Sequence, residues 1–181
     1  MSLIDPADAL MLEIDIQEKF VPVTWRIDAV IRNTNRLLRA ADLVGIPVVA
    51  SEQYPEGLGR TCREILLPPS ARPIWKVHFN CFKSDELREA VRASGRRTLV
   101  VMGIETHVCV LQSVLLALEL GYRVHVAADA VSSRAEENWR LGLERMRQEG
   151  AFIESTEMVL FQLIEHAKDL RFRQLSDIVK G

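Results

Sequence analysis

The sequence predicts a three-layer α/β fold, in which a mainly parallel sheet carries helices on both faces. Four times, an amphipathic helical run ends at a glycine and a β-rich run follows at once; the glycines are residues 45, 95, 121 and 150. Glycine is common just past a helix because it adopts the left-handed conformation at little cost. The run 98–102 is apolar or β-branched throughout, which is typical of a parallel strand buried on both faces. Helices that alternate with buried strands imply crossover connections and a parallel sheet.

Six strands and five helices follow from this pattern. We expect strands at 10–14, 47–51, 73–75, 98–102, 123–127 and 151–154. We expect helices at 27–44, 85–94, 107–120 and 135–149, with one more after Ser155, and a loop-rich stretch at 52–70. Since no linker or low-complexity segment interrupts the pattern, residues 1–181 are expected to form one domain.

Composition narrows the function classes. The chain has 181 residues, 48% of them hydrophobic, and a net charge of −2. A near-neutral charge predicts no broad basic face for nucleic acid. No apolar run is long enough to span a bilayer, and the first residues lack the basic segment of a signal peptide. We therefore expect a cytoplasmic protein whose partner is a small molecule.

Cysteine usage points away from disulfides and zinc. The three cysteines are Cys62, Cys81 and Cys109, an odd number with wide spacing and no C-x-x-C pair. The default interpretation of each is a small buried hydrophobic residue.

Reactive side chains follow several predicted strands. Ligands bind beyond the carboxyl ends of the strands in an open parallel sheet. Asp15 and Gln17 follow the first strand, Lys76 follows the third, and a loop leading to Cys109 follows the fourth. A carboxylate, an ammonium and a thiol are thus expected to meet at one edge of the sheet.

The surroundings of Cys109 favour a reactive thiol over a core residue. Thr106 is a good helix N-cap, which would place Cys109 in the first helical turn. Free amides and the helix dipole there stabilise a thiolate, so we expect a pKa for Cys109 below its ordinary value of about 8.5. Lys76 would assist and the Asp15 carboxylate would oppose this shift. His107 lies two residues before Cys109 and does not share its helix face, so it is interpreted as a rim residue rather than the base.

Four motifs together resemble one family. They are IDIQEKF around Asp15, SEQYPEGLG from Ser51, KVHFNCF from Lys76 and GIETHVCV around Cys109. In this order they resemble the isochorismatase-like cysteine hydrolases, over residues 10–164, and most closely the isochorismatase-domain-containing subgroup. The resemblance implies a Rossmann-like topology and commonly a homo-oligomer.

The resemblance also implies a mechanism. Asp15, Lys76 and Cys109 would form a catalytic triad, with Asp15 as the base and Lys76 stabilising the thiolate. Cys109 would attack the carbonyl of a small amide-like molecule, break its C–N bond and form a thioester-type intermediate. A cis peptide between Ile104 and Glu105 would direct the amides of Glu105 and Cys109 at the oxyanion. The residues expected to line the substrate pocket are Gln17, Phe20, Tyr54, Phe79 and Phe82.

The chain departs from relatives at two places. Nicotinamidases of this superfamily carry an Asp-x-His metal motif after the second strand, where this chain has Glu52-Gln53-Tyr54. Tyrosine is a poor zinc ligand, so we expect no metal and no cofactor. Glu13 lies in an otherwise apolar strand and is expected on the same side as Asp15. It would either pair at the edge of the site or in a subunit contact, or raise the pKa of Asp15.

Two other functions remain open at this point. One is the vinyl ether hydrolysis of true isochorismatases, and the other is a non-catalytic interaction protein that keeps the fold. Family members with the first activity do not rely on the cysteine, and a protein without catalysis has no need for all three triad residues. The intact triad therefore disfavours both.

Overall fold

In the computed structural model, which describes residues 3–180, six parallel strands form one sheet in the order β3-β2-β1-β4-β5-β6. The fold class predicted from the sequence is confirmed, and the order is that of a Rossmann-like sheet. The strands are β1 (Ala9–Ile14), β2 (Val48–Gln53), β3 (Ile74–Lys76), β4 (Thr98–Ile104), β5 (Arg123–Ser132) and β6 (Phe152–Glu154).

Seven helices lie in the described part of the chain and cover both faces of the sheet. They are α1 (Ile27–Val44), α2 (Pro55–Leu58), α3 (Asp85–Ala93), α4 (Leu111–Glu119), α5 (Glu136–Gln148), α6 (Thr156–Gln162) and α7 (Phe172–Lys180). Apolar side chains of α1, α6 and α7 pack on one face, and those of α3, α4 and α5 pack on the other. No helix within residues 3–180 combines the length and apolarity needed to cross a membrane.

Most predicted elements occur within one or two residues of their expected bounds, and four differ. Helix α2 is a single turn inside the stretch 52–70 that was expected to be a loop. The predicted helix at 107–120 begins as a π-helical turn, Thr106–Val110, before α4. Strand β5 ends five residues later than expected, and its pairing with β4 contains a bulge: residues 127–130 lie opposite Met102 alone. Helix α7 was not predicted, although its buried Leu175 and Ile178 have helical spacing.

The strand order explains why one edge of the sheet collects reactive groups. The chain leaves β1 outward to β2 and β3, then returns to β4 on the other side of β1. Such a switch point opens a crevice beyond the carboxyl ends of the two strands. Asp15 follows β1 and the Cys109 turn follows β4, so the crevice brings them together.

Strand β4 approaches β1 so closely at the crevice that only glycine fits. Gly103 has a φ of 127°, and a Cβ built on it would lie 2.1 Å from the carbonyl oxygen of Ile14. A methyl group at this position would push apart the two strands that carry Asp15 and the Cys109 turn. Gly103 is therefore needed for the geometry of the site.

We expect Gly103→Ala to lower the free energy of unfolding by about 3 kcal/mol or more, because it adds a backbone clash to an unfavourable φ. Gly45→Ala is the matched control, since Gly45 also has a positive φ, 75°, but an added Cβ meets nothing within 4 Å. The control should cost about 1–2 kcal/mol. Urea denaturation measures both, and equal losses would show that the close approach to Ile14 is unimportant.

Candidate active site

Asp15 lies fully buried at the end of β1, with a left-handed backbone (φ 55°). Its carboxylate accepts two hydrogen bonds, from the hydroxyl of Ser51 to Oδ1 (2.8 Å) and from Nζ of Lys76 to Oδ2 (2.7 Å). Both carboxylate oxygens thus have a donor, which fixes the orientation of the group.

Lys76 ends β3 and forms a buried ion pair with Asp15. Both side chains are 0% exposed. Nζ also donates to Oε1 of Gln53 (2.8 Å), and the Gln53 amide donates in turn to the carbonyl of Val77 (2.8 Å). Burial is the largest effect on Lys76 and alone would lower its pKa. The charge and hydrogen bond of Asp15, together with the interactions with Cys81 and Cys109, outweigh burial, so the pKa lies above the ordinary value. Lys76 therefore carries a positive charge.

Cys109 reaches the same place from the turn after β4. Its side chain is buried, with 6% of the residue exposed. The turn is π-helical, and the expected capping role of Thr106 is wrong: Glu105 is the N-cap residue, and the hydroxyl of Thr106 has no hydrogen-bond partner in residues 3–180. A Cβ on Gly142 of α5 would lie 3.0 Å from the Thr106 methyl, so α5 packs tightly behind the turn.

The expectation of a low pKa for Cys109 is wrong. Burial is the largest effect and raises the pKa of the thiol, and the negative charge of Asp15 raises it further. The positive charge of Lys76 lowers the pKa of Cys109, but by less than burial or Asp15 raises it. The resting site thus holds a protonated thiol beside a carboxylate, and a hydrogen bond to Asp15 adds to this effect.

Cys81 is a neighbour of the site that the sequence did not reveal. Its Sγ lies 3.7 Å from the Ser51 hydroxyl, and its amide donates to the hydroxyl of Ser113 (2.9 Å). Burial raises the pKa of Cys81 to about 11, with Lys76 opposing. Ser51 and Ser113 are distant from Cys81 in sequence and meet it only in the fold. No local sequence pattern could therefore have indicated that Cys81 lies beside the site.

The turn before Cys109 is held in place by its side chains. The Ile104–Glu105 peptide bond, expected to be cis from the resemblance, is cis. The carboxylate of Glu105 accepts from both the backbone and the guanidinium of Arg134 (3.2 and 3.0 Å). His107 is half-buried, and its Nδ1 lies 2.9 Å from the Ser133 hydroxyl, so it does not reach for Cys109 through this nitrogen.

The five residues expected to line the pocket have different surroundings. The Gln17 amide bonds to the backbones of Gln53 and Gly59, which makes it a support for the loop. Phe82 is 2% exposed, packs against Tyr122 and belongs to the same buried cluster as Cys109. Phe20 packs partly buried against the α1 side, while Tyr54 and Phe79 are each 53% exposed.

The end of β2, where nicotinamidases carry metal ligands, is held by the chain's own hydrogen bonds. Glu52 accepts from the guanidinium of Arg60 (3.1 Å) and from the amide and hydroxyl of Thr61 (2.7 and 2.9 Å). Gln53 is bonded to Lys76, and Tyr54 points outward. Within the described residues, His, Cys, Asp and Glu do not form a group of three or more suited to a metal ion.

Glu13 does not share a side with Asp15, because the left-handed backbone of Asp15 breaks the strand alternation. Its Oε1 accepts from the amide of Ile16 (3.1 Å), on the side of the sheet that packs against α1. Its Oε2 is buried and has no hydrogen-bond partner in the described chain. Burial raises the pKa of Glu13 to about 8, and the charges of Asp15 and Glu52 add to the shift. Glu13 is therefore mostly protonated at neutral pH.

We expect Glu13→Gln to stabilise the protein at alkaline pH. The unfolded carboxyl has a pKa of about 4.3, and the folded one about 8. Between these values the folded state binds the extra proton, so the wild type loses stability as pH rises and the loss levels off above the folded pKa. The variant avoids this loss, and its advantage should reach a few kcal/mol near pH 8 and shrink toward pH 4.

Urea denaturation at several pH values measures the difference between the two proteins. Glu119→Gln, on the exposed end of α4, is the control and should follow the wild type. An advantage for Glu13→Gln that did not change with pH would contradict a protonated Glu13.

Comparisons with known proteins find relatives over nearly the whole chain. The model of the isochorismatase domain matches residues 9–158. The secreted isochorismatase effector Isc1 of Phytophthora sojae is 38% identical over 97% of this chain and 86% of its own length. Isochorismatase domain-containing protein 1 of Danio rerio is 36% identical over 98% of this chain, which spans 62% of that protein.

A solved structure described as the MAR1 ribonuclease from Caenorhabditis elegans superimposes with a TM-score of 0.91 at 30% identity, covering 99% of this chain and 93% of the other. Sequence and structure thus match over nearly the same range, and the chain belongs to the isochorismatase family.

Proposed function

We propose that this protein is a metal-independent cysteine hydrolase that cleaves the C–N bond of a small amide-like molecule, with Asp15, Lys76 and Cys109 as its triad. The observation that carries the proposal is the buried Asp15–Lys76 ion pair placed against the thiol of Cys109. A charged acceptor beside a protonated thiol is the resting arrangement that base-activated nucleophilic attack requires.

The reaction begins with a proton transfer. Asp15 takes the proton from Sγ of Cys109 as the sulfur attacks the carbonyl carbon of the amide. The C–N bond then breaks, the sulfur is left as a thioester, and the amine leaves with the proton from Asp15. Water next gives a proton to Asp15 and attacks the thioester, the C–S bond breaks, and Cys109 recovers its proton.

Lys76 keeps the site electrostatically balanced during these steps. At rest its ammonium faces the Asp15 carboxylate, and after the proton transfer it faces the developing negative charge of the sulfur. The ammonium of Lys76 thus stabilises the negative charge first on the Asp15 carboxylate and then on the Cys109 sulfur, and Lys76 itself keeps its proton. In this role Lys76 is a stabilising residue and Asp15 is the base.

The oxyanion of the tetrahedral intermediate needs hydrogen-bond donors of its own, away from Asp15 and Lys76. The amides of Glu105 and Cys109 belong to the turn that Arg134 and Ser133 anchor through Glu105 and His107. We assign the oxyanion hole to these two amides, since a fixed turn supplies donors that need not reorganise during the reaction.

A second candidate activity is the hydrolysis of RNA, because the similar nematode protein is described as a ribonuclease. The net charge of −2 offers little attraction for a polyanion. A buried thiol with a carboxylate base also suits transfer of an acyl group better than attack on a charged phosphodiester. We therefore favour the amide substrate and include RNA in the test.

The test is a hydrolysis screen over small amides, ureido acids, hydroxamates and an RNA oligonucleotide. We expect turnover of an amide-type compound by the wild type. Cys109→Ala and Asp15→Asn should each lose at least about a thousandfold in kcat, as removal of a nucleophile or its base does in comparable triads. Acid quenching during turnover, followed by peptide mass analysis, should find the acyl group on the peptide that contains Cys109.

Cys62→Ala is the matched control, because Cys62 is also a buried cysteine but lies on the α1 side of the sheet. It should keep wild-type kcat. Cys81→Ala tests the neighbouring thiol and should retain most activity. An acyl group on Cys81, or full activity in Cys109→Ala, would contradict the assignment of the nucleophile.

A further inference from the structure

A cavity of about 430 Å³ lies between the first half of α1, the bulged part of β5 and α5. We propose that it binds a small aromatic anion, a carboxylate or a phosphate ester on a planar ring. None of Asp15, Lys76 and Cys109 lines this cavity, so it is a second site on the molecule. Its volume lies within the range of sites for small ligands, which is about 300–1,000 Å³.

Two tryptophans supply the aromatic part of the site. Trp25 and Trp139 both line the cavity, and their ring centroids are 5.3 Å apart at an angle of 51°. The Trp139 indole donates to the carbonyl of Ala128 (2.9 Å), on the β5 bulge, so the ring is fixed. Both rings are half-buried, and they leave faces and edges for a planar ligand to pack against.

Three arginines supply the positive charge. Arg26, Arg32 and Arg36 line the cavity, and none of them forms an ion pair with another residue in the range 3–180. Asp129 is the one carboxylate among the lining residues, and its Oδ1 accepts from the amide and hydroxyl of Thr156 (2.7 and 2.8 Å). The lining therefore keeps an excess of two positive charges.

Arg36 indicates where the anionic group would sit. One terminal nitrogen donates to Oδ1 of Asn33 at 3.3 Å, while Nε is buried and has no partner in the described structure. Arg36 as a whole is half-buried, but its Nε is a buried donor without a partner, which is costly. A carboxylate or phosphate oxygen would satisfy this donor with a charge-assisted bond. Arg26 lies over the Trp25 ring at 5.3 Å, which joins the cationic and aromatic parts of the site.

The tryptophans also provide the measurement. The chain has three tryptophans, of which two line the cavity and the third, Trp75, lies exposed on β3. A ¹H–¹⁵N spectrum should show three indole signals, and Trp75→Phe assigns one of them. Titration with benzoate should shift the signals of Trp25 and Trp139, with saturation, and leave that of Trp75 in place.

Matched probes separate charge from shape. Benzamide has the planar ring without the charge, and cyclohexanecarboxylate has the charge without the aromatic ring. Both should bind about tenfold or more weakly than benzoate, as loss of a charge-assisted bond or of ring contacts implies. Comparing the affinities of phenyl phosphate and benzoate shows whether a phosphate or a carboxylate fits better. Inorganic phosphate should bind more weakly than either aromatic anion.

Arg36→Gln should weaken benzoate binding about tenfold, and Arg32→Gln, an exposed position, gives the same test with little risk to folding. Arg39→Gln is the control, because Arg39 is exposed on α1 but lies outside the cavity lining. The site would be overturned if benzoate left the Trp25 and Trp139 signals unchanged, if benzamide bound as tightly, or if Arg39→Gln weakened binding as much as both cavity variants. Because the readout is binding, the result does not depend on the activity proposed for Cys109.

Discussion

The buried ion pair between Asp15 and Lys76 is the interaction on which the rest of the site depends. Each ion loses hydration worth several kcal/mol when it is buried, and only close contact and further hydrogen bonds offset that cost. Here Oδ2 and Nζ are 2.7 Å apart, Ser51 donates to the carboxylate, and Gln53 accepts from the ammonium. Removing either ion would leave the other buried without compensation, at a cost of about 3–5 kcal/mol. The contact depends on the adjacency of three strands: Asp15 follows β1, Ser51 and Gln53 lie in β2, and Lys76 ends β3.

The pair also determines where the proton of Cys109 resides. Lys76 and Asp15 compensate each other, so a thiolate at Cys109 would be a second buried anion beside one cation. Burial and the Asp15 charge accordingly raise the pKa of the thiol. In the proposed reaction, sulfur becomes anionic only as its proton moves to Asp15, so the site never holds two anions. The thiol is then reactive toward a bound substrate and protected from other electrophiles in solution.

The sequence was sufficient for the fold, because glycines after helices and continuous apolar strands are local signals. It also pointed to Asp15, Lys76 and Cys109 as candidate site residues, since Asp15 and the Cys109 turn follow strands and Lys76 ends one. The sequence did not predict properties that depend on contacts between residues distant along the chain. The pKa of Cys109 was mispredicted because the extent of its burial is not local, and Cys81 went unnoticed because Ser51 and Ser113 reach it from distant elements. Glu13 and Asp15 were expected on the same side of the strand, because no local pattern in the residues indicates the positive φ of Asp15. The bulge of β5, which contributes Ala128 and Asp129 to the cavity lined by Trp25 and Trp139, was likewise not predicted.

We conclude that the resting protein holds a protonated Cys109 beside the charged Asp15–Lys76 pair. It is tested most directly by a pH titration of ultraviolet thiolate absorbance, recorded as wild type minus Cys109→Ser so that Cys62 and Cys81 cancel. We expect no thiolate signal from Cys109 up to about pH 9, above the ordinary cysteine pKa of about 8.5. A thiolate step below that ordinary value would contradict it, because Cys109 and not Asp15 would then carry the resting negative charge.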